Sequence, residues 1–395
     1  HQYWAGFSSS LFTTGATASS VASSMSNNNL GVLGVLANSK VYGMPYIISE
    51  WNIGTVSAIA SEANMLMASY SLMQGWNPFC FAMHTDKFQI DFNYPDEVKK
   101  VESGLVYEDK NVMTNNLAVD CDPVKMGTLP AASMLFHRHD VKEADKGYYD
   151  RYGDNDYYNA SAYQLPSDAG YAMIGKTSAM YDVKEYDESK IDNDVLYLSK
   201  KAKKDKTPFV SVTGEMSTDL QNQIFKVNTE RSQSAIGYIS GTVQELDDVK
   251  FETDNKFSSC TLTSLSKDEP IYSCDRLLLT VAGDHRNSGE VRSNDMKRIL
   301  KAGHAPILVE QITGKVTLKS KDDFKVYTLS SSGKRIDNAM TRKDKDGNTV
   351  IYLQLDDHCM NYEIVRTKKN GESKPNEKIV FSENKVEPVF TDVGF

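Results

Sequence analysis

The chain has 395 residues, 40% hydrophobic and 25% charged, which is ordinary globular usage and excludes collagen, coiled coil and wholesale disorder. No stretch approaches the ~20 consecutive apolar residues of a membrane span. The 53 acidic against 44 basic side chains leave a net charge of −9, which disfavours nonspecific nucleic-acid binding.

The length suits two or three domains, or one large barrel with an accessory module. The opening His1-Gln2-Tyr3-Trp4 lacks the charged and apolar regions of a signal peptide. Cys80, Cys121, Cys260, Cys274 and Cys359 are scattered and form no CxxC pair. Cys260 and Cys274 are spaced to permit a disulfide in an oxidising compartment. All three tryptophans, Trp4, Trp51 and Trp76, lie in the first 76 residues. Their confinement points to that segment as the bearer of a site, since indole is a broad stacking surface with one polar atom.

Residues 5–29 read as a Ser/Thr/Asn-rich loop or lid. The apolar spacing over 30–42 predicts a helix stopped by Gly43. The run 44–49 then leads into Glu50-Trp51-Asn52, the profile of a buried parallel strand with polar residues at its C-terminal end. Residues 57–74 carry Leu66, Tyr70 and Met73 at helical spacing, and a second short strand runs from Trp76 to Met83, ending on His84. Strand, helix and strand at this length predict a βαβ unit. A helix is expected to start near Pro130. Residues 139–206 read as a Tyr- and acid-rich connector, closed by the basic run Lys200–Lys206, a solvated link. From 207 onward short β-branched runs recur: 224–227, 235–239, 277–281, 307–310, 316–318, 325–329, 350–355 and 362–365. Breakers such as Asp346-Gly347-Asn348 separate them, which predicts an antiparallel β-sandwich.

Glu50 is the sharpest candidate for chemistry. A carboxylate at the C-terminal end of a buried parallel strand sits where α/β barrels hold their reactive groups, and flanking aromatics suit a sugar. A glutamate capping the next helix or pairing with a base explains the residue equally well. His137 and His139 would share one side of a strand as metal ligands, but no third ligand is near, and ordinary histidines are the better reading. Asp344–Asn348 begins like a calcium loop and reads better as a hairpin turn. Asp154-Asn155-Asp156 and Asp284-His285-Arg286-Asn287 read as polar turns. No GxSxG elbow, P-loop or Rossmann glycine set is present, and no metal or cofactor is expected.

The block Gly43–Asn52 resembles the seventh strand of clan A glycoside hydrolases, (β/α)8 barrels with a nucleophilic glutamate at that place. Gln74–Phe79 resembles their eighth strand, and His1-Gln2-Tyr3-Trp4 the end of their sixth. The segments from Gly214 through Thr229, 235–237 and 306–310 are similar to the β-rich module trailing some of these enzymes. The resemblance implies the last strands of a TIM barrel over 1–138, a connector over 139–206 and a β-sandwich over 207–395. It implies a retaining glycosidase acting on a β-linked carbohydrate, with Glu50 as nucleophile. Tyr3 and His1 would flank Glu50, Trp76 would stack on the sugar, and Trp4, Trp51, Asn52 and His84 would line the pocket. Retention needs a second carboxyl about 5–5.5 Å away, which the family carries on its fourth strand. Glu62, on the helix between the strands, and Asp86, after the second, are poor substitutes. The expected partners are therefore a carbohydrate and a separate polypeptide carrying the first half of the barrel, with neither nucleic acid nor membrane. The expected location is extracytoplasmic. The alternative is a noncatalytic carbohydrate-binding or structural fragment.

Overall fold

The structure, a computed structural model, describes residues 2–5, 32–53, 57–78, 113, 119, 122–152, 170–181, 188–204, 208–296, 298–371 and 374–381. It is a mixed α/β protein with few helices and a large antiparallel region, and no barrel closes among the described residues.

The first layer is parallel. It comprises β1 (Gln2–Ala5), α1 (Val32–Ser39), β2 (Ile47–Ile48), β3 (Glu50–Ile53), α2 (Ala63–Gln74) and β4 (Asn77–Pro78). β1 pairs with β3, Gln2 opposite Glu50 and Tyr3 opposite Trp51. β2 pairs with β4, Ile47 opposite Asn77. The stretch 47–53 thus takes two parallel partners in separate two-stranded sheets, and the expected βαβ unit is present with a short second strand. Residues 79–83 of that expected strand lie outside the described residues. α2 ends as its sequence dictates: Gly75 takes φ +65, and the amides of Gly75 and Trp76 close onto Leu72 and Ser71 carbonyls, a glycine-terminated cap.

Four expectations change. α1 ends at Ser39 rather than 42, because the chain after it joins a further strand. That strand is β6 (Lys176–Tyr181), parallel to β5 (Gly147–Tyr152). The Ala179 amide donates to the Lys40 carbonyl at 2.7 Å and the Tyr42 amide to the Ala179 carbonyl at 2.9 Å. α2 is not amphipathic, since every one of its residues is buried. Two of its buried side chains are bonded across to other elements: Asn64 donates to the Lys125 carbonyl, and Gln74 donates to the Ala172 and Gly175 carbonyls. The third helix, α3 (Pro123–His137), starts at Pro123 behind the N-cap Asp122 and carries Pro130 inside it. The rule that proline favours a first turn holds, but at a different proline. The expected connector contains β5, α4 (Gly170–Ile174), β6 and α5 (Glu188–Lys204). Lys200, Lys201, Lys203 and Lys204 are therefore helical, with lysines at the negative end of the helix.

Among the described residues the C-terminal half holds two large antiparallel sheets and two two-stranded ones, 285–288 with 304–309 and 291–292 with 299–301. Each of the eight predicted runs contains a strand, although 238–239, 310 and 354–355 lie beyond the strand ends. The large sheet has nine strands in the order 335–338, 323–329, 361–368, 276–282, 258–264, 232–237, 224–228, 216–219 and 209–210. The smaller has five, in the order 244–245, 249–253, 314–318, 349–353 and 341–343. Ser258–Ser264 and Ser232–Gly237 are buried at every position. The cause is that the large sheet has no solvated face at its centre. Ala235, Leu262 and Leu279 join Phe251, Val316 and Ile351 of the second sheet in one core. Phe225, Val227, Ile236 and Leu278 join Leu66, Tyr70 and Leu135 of the helices in another. Alternation along each strand sends neighbours to opposite cores.

The helix-facing side of this sheet is rich in Ser and Thr, so its contact is partly polar. Tyr70 stacks on Phe225 at 5.5 Å and its hydroxyl lies 2.6 Å from Thr218 Oγ1. The fully buried Asp140 carboxylate is held by Arg138 at 2.5 Å and Arg231 at 3.0 Å. Arg138 also donates to the Ser264 and Ser266 carbonyls and to Thr263 Oγ1. Asp140→Ala should destabilise the protein by about 3–5 kcal/mol, the effect of stripping one partner from a buried ion pair. Tyr70→Phe should cost about 1 kcal/mol. Urea unfolding followed by circular dichroism measures both.

Candidate functional site

The predicted site residues fall on the parallel layer. β1 carries Tyr3 and Trp4, and β3 carries Glu50, Trp51 and Asn52. Their registry brings Gln2–Ala5 against Glu50–Ile53 residue for residue. Of Tyr3, Trp4, Glu50 and Asn52 only the backbone is described. His1, His84, Asp86 and Asp154-Asn155-Asp156 lie outside the described residues. Trp51 and Ile53 are buried, at 1% and 5% exposure, in the core shared with α1 and α2. Glu50 and Asn52 occupy the alternate positions of that strand, and alternate positions form separate sets. Trp76 is 3% exposed, with its ring edge-on to Tyr46 at 5.9 Å. The indole nitrogens of Trp51 and Trp76 have no hydrogen-bond partner among the described residues. Glu62 is fully buried in a 3-10 turn ahead of α2.

The layer is pinned at the strand-start end. Lys40 Nζ donates to the Gln74 carbonyl at 2.8 Å and to the Gly75 carbonyl at 3.3 Å. An ammonium group thus caps the last carbonyls of α2. The Thr177 amide donates to Gln74 Oε1. These bonds fix where α2 stops and where β4 begins.

Several sequence readings are corrected. His137 is the last residue of α3 and His139 follows its cap with φ +53. They sit at a helix end rather than on a strand, both exposed. No group of three metal-ligating side chains occurs among the described residues. Asp344–Asn348 is the expected hairpin turn, with Asp344 Oδ1 accepting from the Asp346 and Asn348 amides. Cys260 and Cys274 are free and buried, and burial pushes the Cys260 thiol up to about 12, so it stays protonated and inert.

The largest departure is Asp284–Asn287. His285–Ser288 is a strand paired with His304–Val309, not a turn, and His285 is buried against the start of α3. Its Nε2 lies 3.1 Å from Asp122 Oδ2, and Lys125 Nζ lies 3.2 Å from the same oxygen. All three side chains have zero exposure. Asp122 also accepts from the Lys125 amide at 2.9 Å as the N-cap of α3. Burial alone would raise the Asp122 pKa. The charges of His285 and Lys125 and the backbone bond outweigh it, holding the carboxyl well below the usual range. The Asp122-Pro123 pair was a readable N-cap signal, but the partner histidine is distant in sequence and had none.

A carboxyl with a depressed folded pKa contributes stability that is present above its unfolded pKa, about 3.9, and is lost as pH falls toward the folded value. Asp122→Asn should therefore cost about 3–5 kcal/mol at pH 7, and the penalty should shrink steadily below pH ~4. Chemical denaturation of both proteins across acid pH reads this directly.

No known protein family matches the sequence. No curated protein matches it either.

Proposed function

We propose that this chain supplies the nucleophile side of the active site of a retaining glycoside hydrolase of the clan A (β/α)8 type, with Glu50 as the nucleophile. The observation that carries the reading is the in-register parallel pairing of Gln2–Ala5 with Glu50–Ile53, backed by that of Ile47–Ile48 with Asn77–Pro78. The block that resembles the seventh strand pairs in parallel with each of the other two, in separate two-stranded sheets, with α1 and α2 between them in the chain. A helical layer on one side of the strands is also what such a barrel requires.

In this reading Glu50 attacks the anomeric carbon and forms a glycosyl-enzyme, which water then releases. A second carboxyl protonates the leaving oxygen and later activates the water, from about 5–5.5 Å away. That carboxyl is assigned to a segment outside these 395 residues or to a separate polypeptide carrying the earlier strands. Tyr3 and His1 flank the nucleophile. Asn52, two positions from Glu50, and Trp4, opposite Asn52 in the register, are the sugar contacts. His84 is a further lining residue. Trp51 and Trp76 are already buried within this chain, and further chain would only bury them more. We assign them to the wall that holds the strand rather than to a sugar platform. The class implies action outside the cytoplasm. No helix among the described residues is long and apolar enough to cross a membrane.

The test is Glu50→Gln in the protein assembled with its acid/base half, assayed on aryl β-glycosides. Turnover should fall by at least about 10³-fold, since loss of a group that acts in concert forfeits most of the catalysis, with the unfolding midpoint unchanged. Full activity in the variant would contradict the assignment.

A further inference from the structure

A cleft of about 220 Å³ opens where the turn after α1 meets β5, β6 and the first half of α5. It lies at the strand-start end of the parallel layer. Lys40 and Gly43 precede β2, and Lys40 is the side chain that caps α2 next to Gly75. It is thus separate in the chain from the Glu50 positions and does not rest on their reading. Its volume is below the ~300–1,000 Å³ of sites for drug-sized molecules, so it suits one small ring.

The lining is chemically specific. Three lysines, Lys40, Lys176 and Lys190, are among the residues that line it. Tyr42 and Tyr149 form one corner, edge to face at 4.8 Å and 86°. Of the two lining carboxylates, Asp194 is already paired with Lys146 at 3.1 Å, which leaves Asp145 as the other acid. Lys176 is bonded to Glu143 at 2.8 Å, but Glu143 is 58% exposed, and such pairs are weak and readily exchanged. Burial, and next the facing charge of Lys176, hold the Lys40 ammonium below its ordinary range, with Glu143 offsetting in part. An anion beside Lys176 relieves this like-charge repulsion. Burial, helped by Tyr42 and then Asp194, pushes the Tyr149 hydroxyl up to about 12, so at neutral pH it is a donor. An aromatic corner packs the C–H face of a sugar while donors take its hydroxyls.

We propose that this cleft is a binding site for a monosaccharide-sized ligand that carries an oxyanion, a sugar acid being the simplest form. The ammonium groups of Lys176 and Lys190 would take the anion, and the Tyr42–Tyr149 corner the ring.

Calorimetric titration of the whole chain with glucuronate, glucose and inorganic phosphate tests this. Glucuronate should bind with a Kd near or below about 1 mM, and at least about tenfold more tightly than either glucose or phosphate. Lys176→Gln and Lys190→Gln should each weaken it by at least about tenfold, while Lys176→Arg retains it. Thermal unfolding without ligand checks that the variants are folded. Absence of glucuronate binding, equal binding of glucose or phosphate, or indifference to both Gln substitutions would overturn the proposal.

Discussion

The structure depends on one constraint: the centre of the nine-stranded sheet is covered on both faces. One face packs on the five-stranded sheet and the other on the helices. A sheet so enclosed cannot place its polar residues in water, and each must find a partner inside. The strand Ser258–Ser264 meets this requirement through paired hydroxyls. Ser234 bonds Thr261, and Ser232 bonds Thr263. Arg138 and Asp140 reach into the same row from the end of α3.

The polar row has a consequence for the parallel layer. Hydrophobic contact alone tolerates sliding, whereas bonded polar groups set a register. Arg138, Asp140 and Arg231 tie the end of α3 to the sheet, and Tyr70 ties α2 to it through Thr218 and Phe225. α2 is in turn fixed at its end by Gln74 and Lys40. The position of the stretch that carries Glu50 therefore traces back, through α2, to the sheet. A side chain intended for precise chemistry gains from support of this kind on rigid elements.

The legible part of the fold was the part with a simple period. The apolar runs of the C-terminal half were visible because strand alternation with turn signals is a strong local pattern. The run 44–52 was visible because a doubly covered strand is continuously apolar. Ser258–Ser264 was not among the predicted runs: its Ser and Thr residues give no apolar signal, and its burial between two layers is a property of the fold. His285 read as a turn residue because its partners, Asp122 and Lys125, come from another element. Pro123 and Pro130 are equally good first-turn residues in isolation, and only the Asp122 cap distinguishes them. At the candidate site, the pairing of the Tyr3 and Glu50 strands was anticipated from block order. The burial of Trp51 and Trp76 was not, because an indole that stacks on sugar and one that fills a core look alike in sequence.

If the sheet is held from both sides, the helical layer and the sheet must unfold together. Trp51 and Trp76 lie in the helical layer, and among the described residues the two large sheets carry no tryptophan. Tryptophan fluorescence therefore reports the helical layer alone, and far-ultraviolet circular dichroism the helices and sheets together, in one urea titration. The account predicts coincident transitions with a single midpoint. A fluorescence transition completed before the loss of β-structure would contradict it.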